Sequence, residues 1–358
     1  MLSSKTDPNH VWRMHLPLPP ASRIRRGILS SIILVILFAA GEVILEYLGF
    51  GSPSLVMLDK ATEYELRPNQ YITRRKPLSD DPVAHLFTDS NGFRSDPLPS
   101  VKLQDTLRVY FLGDSITYGT TQVDQSHLFS EVVHRGLTAI VHKPVEVING
   151  AISGWAPDNE LGYLRERGLF QADNLILVLN SGDPFQPRAL WFSAIRTKPY
   201  PFPKGYQELW QQVITHGKKL YARKGADDRD PGLDIFRDPA VLKHNLEDLS
   251  AMKTLVESTG CKFAIVFVPF RVPVHEGSGE REASIEGTTA VKNWAQQNRV
   301  PLLDVGAALD TRPVLETLLR DRSHFDSLGH QLIGDDILQN WQMLNQSLQP
   351  TGANTPVK

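Results

Sequence analysis

Ser115 is the residue of this sequence whose setting best suits a catalytic nucleophile. It follows the apolar run 107–112, which lacks the polar alternation of a half-exposed strand and is typical of a buried parallel strand. Gly113 allows a sharp turn, which would expose the Ser115 hydroxyl at the carboxyl end of that strand, where open α/β sheets bind ligands. The alternative is that Asp114 and Ser115 only cap the next helix. This stretch alone does not decide between the two.

A serine nucleophile needs a base, and the strongest candidate is His324. Asp321 precedes it by three residues on a loop, so that its carboxylate can bond the imidazole Nδ1–H and leave Nε2 to accept a proton. An Asp-x-x-His pattern by itself is common on surface loops. The rival is His330, but it falls inside a predicted helix without an aspartate at that offset, and we interpret it as structural.

A glycine-rich stretch could supply hydrogen-bond donors for the reaction. It runs from Asn149 to Gly154, directly after a second apolar run, and its glycines would let backbone N–H groups approach a ligand closely. Such donors stabilise the oxyanion that forms when an ester carbonyl is attacked. The alternative is an ordinary glycine-rich turn.

These residues lie in a segment whose pattern predicts an α/β fold. Amphipathic stretches, such as the apolar stripe from Leu242 to Val256, alternate with short apolar runs, which indicates a mostly parallel sheet covered by helices on both faces. We interpret that stripe as core packing. The predicted strands are residues 107–112, 145–149, 174–180, 262–268 and 301–305.

The amino-terminal part predicts a membrane anchor. Residues 1–26 are predicted to form a basic cytoplasmic tail. Residues 27–50 begin with a charge-free stretch, and together they are long enough for an apolar helix that crosses a bilayer. Basic residues before the span predict an amino terminus inside the cytoplasm and the rest of the chain outside it. The alternative is a cleaved signal peptide with Ala39-Ala-Gly41 as its cleavage site.

The remaining segments are predicted by composition and length. Residues 51–105 are rich in proline and charge, and we interpret them as a linker and domain edge. The main domain then covers residues 106–348, with an insertion at 183–240 that is too long for a simple connection and is typical of a lid or substrate-facing subdomain. Residues 349–358 are predicted to be disordered.

The composition excludes some functions. The 358 residues carry a formal net charge of −2, so there is no basic surplus to neutralise nucleic-acid phosphates. Cys261 is the one cysteine, which excludes an intrachain disulfide and a cysteine metal cluster. Because it opens an apolar run, we expect a buried and inert thiol.

Together, the motifs resemble those of the SGNH/GDSL hydrolases. Gly-Asp-Ser-Ile-Thr follows the first predicted strand, Asn-Gly-x-x-x-Gly follows the second, and Asp-x-x-His lies near the carboxyl end, within residues 107–346. Asn91-Gly-Phe-Arg94 and the anchor are similar to a membrane-tethered bacterial branch of that family. That similarity implies a catalytic domain on the periplasmic side of a bacterial inner membrane. The resemblance implies a flavodoxin-like three-layer α/β/α fold with a mostly parallel five-stranded sheet, preceded here by one transmembrane helix. It also implies serine ester hydrolysis without a metal or other cofactor.

The resemblance further implies roles for individual residues: Ser115 as nucleophile, His324 as base, Asp321 as its orienting partner and Gly154 as an oxyanion donor. The sequence departs from the family at the third strand, where the pattern Gly-x-Asn-Asp has an asparagine that donates to the oxyanion. Here the four residues are Asn180-Ser-Gly-Asp183, so that Gly182 replaces that asparagine. Asn180 lies two residues earlier, on the same side of an extended strand, and is the candidate replacement donor.

The leading hypothesis is a membrane-anchored extracytoplasmic serine esterase that hydrolyses an acyl ester, in our interpretation an acetyl ester, of a carbohydrate or envelope component. A second hypothesis is an O-acyltransferase, which would pass the acyl group to a polysaccharide hydroxyl instead of water. A third, motivated by Gly182, is a non-catalytic binding module of the envelope.

Overall fold

A computed structural model describes residues 21–51, 55–75, 81–188, 198, 200–225, 238–270, 279–313 and 324–346. Side chains are described throughout these ranges except at 21–24, 215–225 and 279–281. The predicted tail 349–358, Asp321, residues 1–20 of the predicted cytoplasmic tail and parts of the predicted insertion lie outside the described residues.

The chain begins with a long apolar helix, α1 (Ala21–Tyr47), followed by two antiparallel hairpins. Residues Arg25–Tyr47 of α1 are long and apolar enough to cross a membrane, with a mean hydropathy of 2.6 over the best window. A signal sequence would satisfy the same criterion. The hairpins pair β1 (Val56–Asp59) with β2 (Glu63–Leu66) and β3 (Tyr71–Arg75) with β4 (Val83–Phe87).

The segment predicted as a linker and domain edge is therefore more structured than its composition indicated. Tyr64, Leu66 and Leu86 of the hairpins and Phe93 after them are buried in the same core as the central sheet. The sequence did not indicate these strands because they are only four or five residues long.

A five-stranded parallel sheet forms the centre of the domain, as the alternation of elements predicted. Its strands lie in the order β6-β5-β7-β8-β9, which is the flavodoxin-like arrangement, and their bounds agree closely with the predicted runs. The strands are β5 (Leu107–Gly113), β6 (Val145–Asn149), β7 (Asn174–Asn180), β8 (Lys262–Val268) and β9 (Leu302–Asp304).

Helices cover both faces of the sheet and complete a three-layer fold. One core cluster joins the sheet to α4 (Pro157–Arg167), α6 (Pro239–Ser258) and α7 (Gly279–Gln297). The other joins it to α3 (Phe129–Val141), α8 (Gly306–Leu309), α9 (Ser327–Gln339) and α10 (Trp341–Leu344). Leu249, Met252 and Val256 of the predicted stripe are buried on α6, which confirms their role in packing.

Two further helices matter for function. The short helix α2 (Ser115–Tyr118) follows β5 directly and begins at the candidate nucleophile. Helix α5 (Lys204–Gly225) lies within the predicted insertion and packs against α1.

Candidate active site

The turn between β5 and α2 presents Ser115 at the carboxyl end of a strand with neighbours on both sides. Gly113 is required there by space rather than by backbone conformation, because a Cβ would lie 2.5 Å from Thr117 Oγ1 and 2.8 Å from the Val178 carbonyl oxygen. Asp114 caps α2 by accepting the Ile116 N–H at 2.9 Å. The Ser115 hydroxyl, which is partly exposed, donates to Asp114 Oδ2 over 3.3 Å. Both the cap and the exposed hydroxyl are therefore present, on adjacent residues.

The Asn180 amide lies beside this turn but is occupied by carboxylates. Its Nδ2 donates to Asp114 Oδ2 and to Asp183 Oδ1, each over 2.9 Å, which uses both amide hydrogens. Its Oδ1 accepts the Gly182 N–H at 2.6 Å, and the Asp183 carboxylate accepts the Asn180 N–H at 2.7 Å. Asn180 thus connects the turn between β5 and α2 to the end of β7.

Buried carboxylates surround this connection, and burial raises the pKa of each. Desolvation raises the pKa of Asp114, although a charge on His324 and the hydrogen bonds at the turn oppose it. The pKa of Asp183 lies well above its usual range because of burial and then because of the neighbouring charges of Asp114 and Glu160. Burial, with Asp114 nearby, also places the pKa of Glu160 well above its usual range.

The glycine-rich loop is held from two sides. Gly154 has φ +86°, a conformation that favours glycine, and a Cβ there would lie 3.0 Å from the Tyr64 hydroxyl oxygen. Tyr64 donates its hydroxyl hydrogen to the Ser153 carbonyl over 2.8 Å. From the other side, Gln186 Nε2 donates to the Gly154 carbonyl over 2.8 Å. These bonds fix the backbone of the predicted oxyanion loop.

His324 lies in the same neighbourhood. It precedes α9, and it is near enough to Asp114 that its charge opposes the rise in the Asp114 pKa. Asp321, the predicted partner of His324, lies outside the described residues. His330 is buried, stacks on Phe129 and accepts the Phe129 N–H at Nδ1 over 3.3 Å. Burial lowers the pKa of His330 to about 3, so it is neutral at physiological pH and fits the structural role predicted for it.

The side chain of Arg94 binds the loop that follows α2. Its guanidinium is fully buried and donates to the carbonyls of Tyr118, at 2.5 Å, of Thr120 and of Val123, at 2.7 Å. Burial lowers the pKa of Arg94 to about 10, which leaves it charged at neutral pH. In the preceding turn, Gly92 has φ +85° and Phe93 is buried.

Sequence reasoning missed Tyr64, Gln186 and Glu160. Tyr64 lies in a segment interpreted as a linker, and 89 positions separate it from the residue that it binds. Glu160 lies in the first turn of α4, where a carboxylate is ordinarily explained by the helix dipole. No local signal in the sequence indicates these contacts, because each depends on how distant elements pack.

The described residues contain two groups of acidic and histidine side chains close enough to share a cation. They are Asp96 with Glu131 and His134, and Asp158 with His244 and Asp248. Some of their members are close to a basic side chain: His134 lies 3.6 Å from Glu131, and Asp158 binds Arg188 at 2.9 Å.

Comparison of the sequence with protein families gives one match. The matching family is described as GDSL-like Lipase/Acylhydrolase, and the match covers residues 111–332, more than half of the chain. The chain belongs to this family. It is accordingly an ester hydrolase, and the match spans the turn at Ser115, the glycine-rich loop and His324. No curated protein matches the sequence.

Solved structures of similar architecture are distant in sequence. A lipase from a goat rumen metagenome is 15% identical with a TM-score of 0.44, covering 64% of this chain and 95% of that one. An α/β hydrolase from the metagenome of Lake Arreo, Spain, is 16% identical with a TM-score of 0.43, covering 69% and 99%. An acetylxylan esterase mutant from Geobacillus stearothermophilus is 18% identical with a TM-score of 0.40, covering 69% and 98%. Similarity at this level carries no argument about the substrate.

Proposed function

We propose that the protein is a membrane-anchored serine esterase in which Ser115 is the nucleophile, His324 the base and Asp321 the residue that orients it. The observation that carries the proposal is the partly exposed Ser115 at the carboxyl end of β5, whose hydroxyl bonds Asp114. The glycine-rich loop reaches the same strand end, where the Ile152 N–H donates to the Gly113 carbonyl over 3.3 Å. The pKa interaction between His324 and Asp114 supports a base near that hydroxyl. Family membership supports the ester as the bond attacked.

The proposed reaction follows from these positions. Ser115 Oγ attacks the ester carbonyl while His324 Nε2 takes the hydroxyl proton, and the same imidazolium then protonates the departing alcohol. Water, deprotonated by His324, releases the acyl group from Ser115. Asp321 would hold the imidazole in the required tautomer and stabilise its charged form.

The oxyanion donors are part of the proposal. We assign the backbone N–H groups of Ser115 and Gly154, because the bonds from Tyr64 and Gln186 keep the Gly154 loop in one conformation. For Asn180 to serve as the predicted side-chain donor, its amide would have to leave Asp114 or Asp183. We therefore propose that Asn180 supports Asp114 and that the backbone supplies the primary donors. One donor fewer typically lowers the rate by about 10²–10³.

The proposed location and substrate depend on α1. Its side chains are apolar and exposed over most of their length, as at Leu34 and Val35, which a bilayer would cover. Arg25 and Arg26 flank the apolar stretch on its amino-terminal side, which supports an inside amino terminus and an extracytoplasmic active site. An esterase fixed there meets envelope carbohydrates, and we propose an acyl, in particular acetyl, ester of such a component as substrate.

The test is the Ser115→Ala variant of the full chain, assayed with a short-chain aryl acetate. We expect the rate to fall by at least about 10³-fold, because no other group can form the acyl-enzyme. Ser126→Ala, a nearby serine hydroxyl bonded to Asp124, is the matched control and should retain the wild-type rate. Undiminished hydrolysis by Ser115→Ala would refute the mechanism. Adding an oligosaccharide to wild-type reactions separates the outcomes further, since acylated sugar would identify a transferase.

A further inference from the structure

Helix α5 has an apolar face that the described protein does not cover. Tyr206, Trp210 and Val213 are spaced at i, i+4 and i+7 and lie on one side of the helix, whereas Gln207, Glu208, Gln211 and Gln212 lie elsewhere. Trp210 is 63% exposed and Val213 is 53% exposed. Phe202, just before the helix, is 79% exposed. An apolar face this open to water requires an explanation.

The first turn of α5 is bound to the outer part of α1. Glu42 of α1 is buried and accepts the N–H groups of Gly205, at 2.8 Å, and of Tyr206, at 3.1 Å. These are N–H groups that the helix itself leaves without partners, so that Glu42 caps α5 from a neighbouring helix. An ion pair between Lys204 and Glu46, at 3.1 Å, lies beside it. The carboxylates near the end of the apolar stretch therefore serve to hold α5.

Glycines make the close approach of the two helices possible. A Cβ at Gly205 would lie 2.8 Å from Leu45 Cβ, and a Cβ at Gly41 would lie 1.9 Å from the Tyr206 hydroxyl oxygen. Gly41 is therefore explained by packing in the intact helix, because a larger residue would clash with Tyr206. The same small residue also fits a signal-peptide cleavage site. The Tyr206 ring stacks on Phe38 with 4.6 Å between centroids and 11° between planes.

The apolar face of α5 continues the surface of α1 that would face lipid. An apolar groove between the helices is lined by Leu34, Val35, Leu37 and Phe38 from α1 and by Tyr206 from α5. Tyrosine and tryptophan are the residues enriched where a bilayer meets water. An amphipathic helix in that layer buries its apolar face among headgroups and acyl chains while its polar face stays hydrated.

We propose that α5 lies in the outer interfacial layer of the same bilayer that α1 spans, with Trp210 and Val213 in contact with lipid. This inference rests on the membrane anchoring proposed above. It makes α1 and α5 a two-helix platform that holds the esterase domain against the membrane, so that its substrate is reached at the membrane surface.

The test uses single nitroxide labels on the full chain in vesicles of phosphatidylethanolamine and phosphatidylglycerol. In a Cys261→Ser background, cysteines replace Trp210, Val213, Gln211 on the polar face and Val35 on α1. Collisions with oxygen, which concentrates in the bilayer, are compared with collisions with a water-soluble nickel chelate. We expect the oxygen-to-nickel ratio to be several-fold higher at 35, 210 and 213 than at 211. Retained hydrolysis of an aryl acetate by each variant establishes that it is folded.

The other outcomes are distinguishable. Lipid contact at 35 with water contact at 210 and 213 would overturn the inference and leave the anchor intact. Water contact at all four positions would refute the anchor as well. Shielding of 210 and 213 from both reagents would mean that a protein surface, from a second copy or another chain, covers α5, and this too would overturn the inference.

Discussion

The carboxyl ends of β5 and β7 lie side by side in the sheet, with Gly113 paired to Val178, yet the chain uses them differently. The end of β5 carries a partly exposed hydroxyl, Ser115, on a turn backed by the buried cation Arg94. The end of β7 is buried at Asn180, Ser181 and Asp183, and burial raises the pKa of the Asp183 carboxyl. We therefore propose that the end of β5, which follows the family pattern, meets the substrate and that the end of β7, which departs from it, supports Asp114.

The largest expected effect is the loss of stability on replacing Arg94, the buried cation near the end of β5. Arg94→Met would leave the buried carbonyls of Tyr118, Thr120 and Val123 without their donors, and we expect a loss of about 3 kcal/mol or more in the free energy of unfolding. Arg135→Met, on the exposed side of α3, should change it by less than about 0.5 kcal/mol. Denaturant unfolding measures both. Equal stabilities would show that the β5 end does not depend on Arg94.

The next effect distinguishes two roles for Asn180, that of a structural partner of Asp114 and that of an oxyanion donor. Asn180→Ala removes the donor shared by Asp114 and Asp183, and we expect a loss of about 2–4 kcal/mol of stability together with a roughly 10-fold or larger fall in kcat. Ser181→Ala, equally buried but without a bond to Asp114, is the control. A fall in kcat of about 10²–10³ with unchanged stability would instead identify Asn180 as an oxyanion donor.

A smaller effect tests the brace on the Gly154 loop. Tyr64→Phe removes one hydrogen bond, to the Ser153 carbonyl, and a net bond of about 1 kcal/mol corresponds to a roughly 5-fold fall in kcat. Tyr110→Phe is matched to it, because the buried Tyr110 hydroxyl has no hydrogen-bond partner among the described residues. If the two variants are equally active, Tyr64 does not position the loop.

The smallest effect is the dependence of stability on pH, which should have opposite signs for Glu160 and for His330. At pH values above about 4.3, the unfolded chain ionises Glu160 while the fold keeps it protonated, so that stability is lost as pH rises toward its raised pKa. Glu160→Gln should therefore raise Tm by a few degrees at pH 7 and not at pH 4. A gain of equal size at both values would contradict the raised pKa.

For His330 the sign is reversed. The pKa of His330 is about 3 in the fold and about 6.5 in the unfolded chain, so the unfolded chain alone binds the proton between these values. The stability contributed by neutral His330 is complete above pH 6.5 and is lost as pH falls toward 3. Replacing His330 by Gln in the Glu160→Gln background should make the loss of Tm between pH 7 and pH 4 smaller, and an unchanged loss would contradict the lowered pKa of His330.

The central sheet could be predicted from sequence because its strands are continuous apolar runs. The predicted strand 174–180 coincides with β7, and the predicted strand 262–268 coincides with β8. The hairpins could not be predicted, since strands such as Glu63–Leu66 are too short to show a period. Their part in the site, through Tyr64, depends on packing against a distant loop.

The candidate site was predicted to the extent that its parts are local motifs. Ser115 and Gly154 lie at strand ends, where periodicity and glycine spacing indicated them, and their roles stay proposals that rest on the geometry and the family. The partners of Asn180 could not be predicted, because the proximity of Asp114 depends on the register between β5 and β7 and that of Asp183 on a turn. The sequence indicated on which side of the strand Asn180 lies, but not that its amide would meet the carboxyl groups of Asp114 and Asp183.

The most direct test of the account is covalent labelling of the full-length protein with a fluorophosphonate, followed by mass spectrometry of the modified peptide. The probe reacts with a serine only when a base and oxyanion donors activate it. We predict a single adduct on Ser115 and none in Ser115→Ala. A wild-type protein that stays unlabelled, or an adduct on another serine with Ser115 unmodified, would contradict the assignment of Ser115 as the nucleophile.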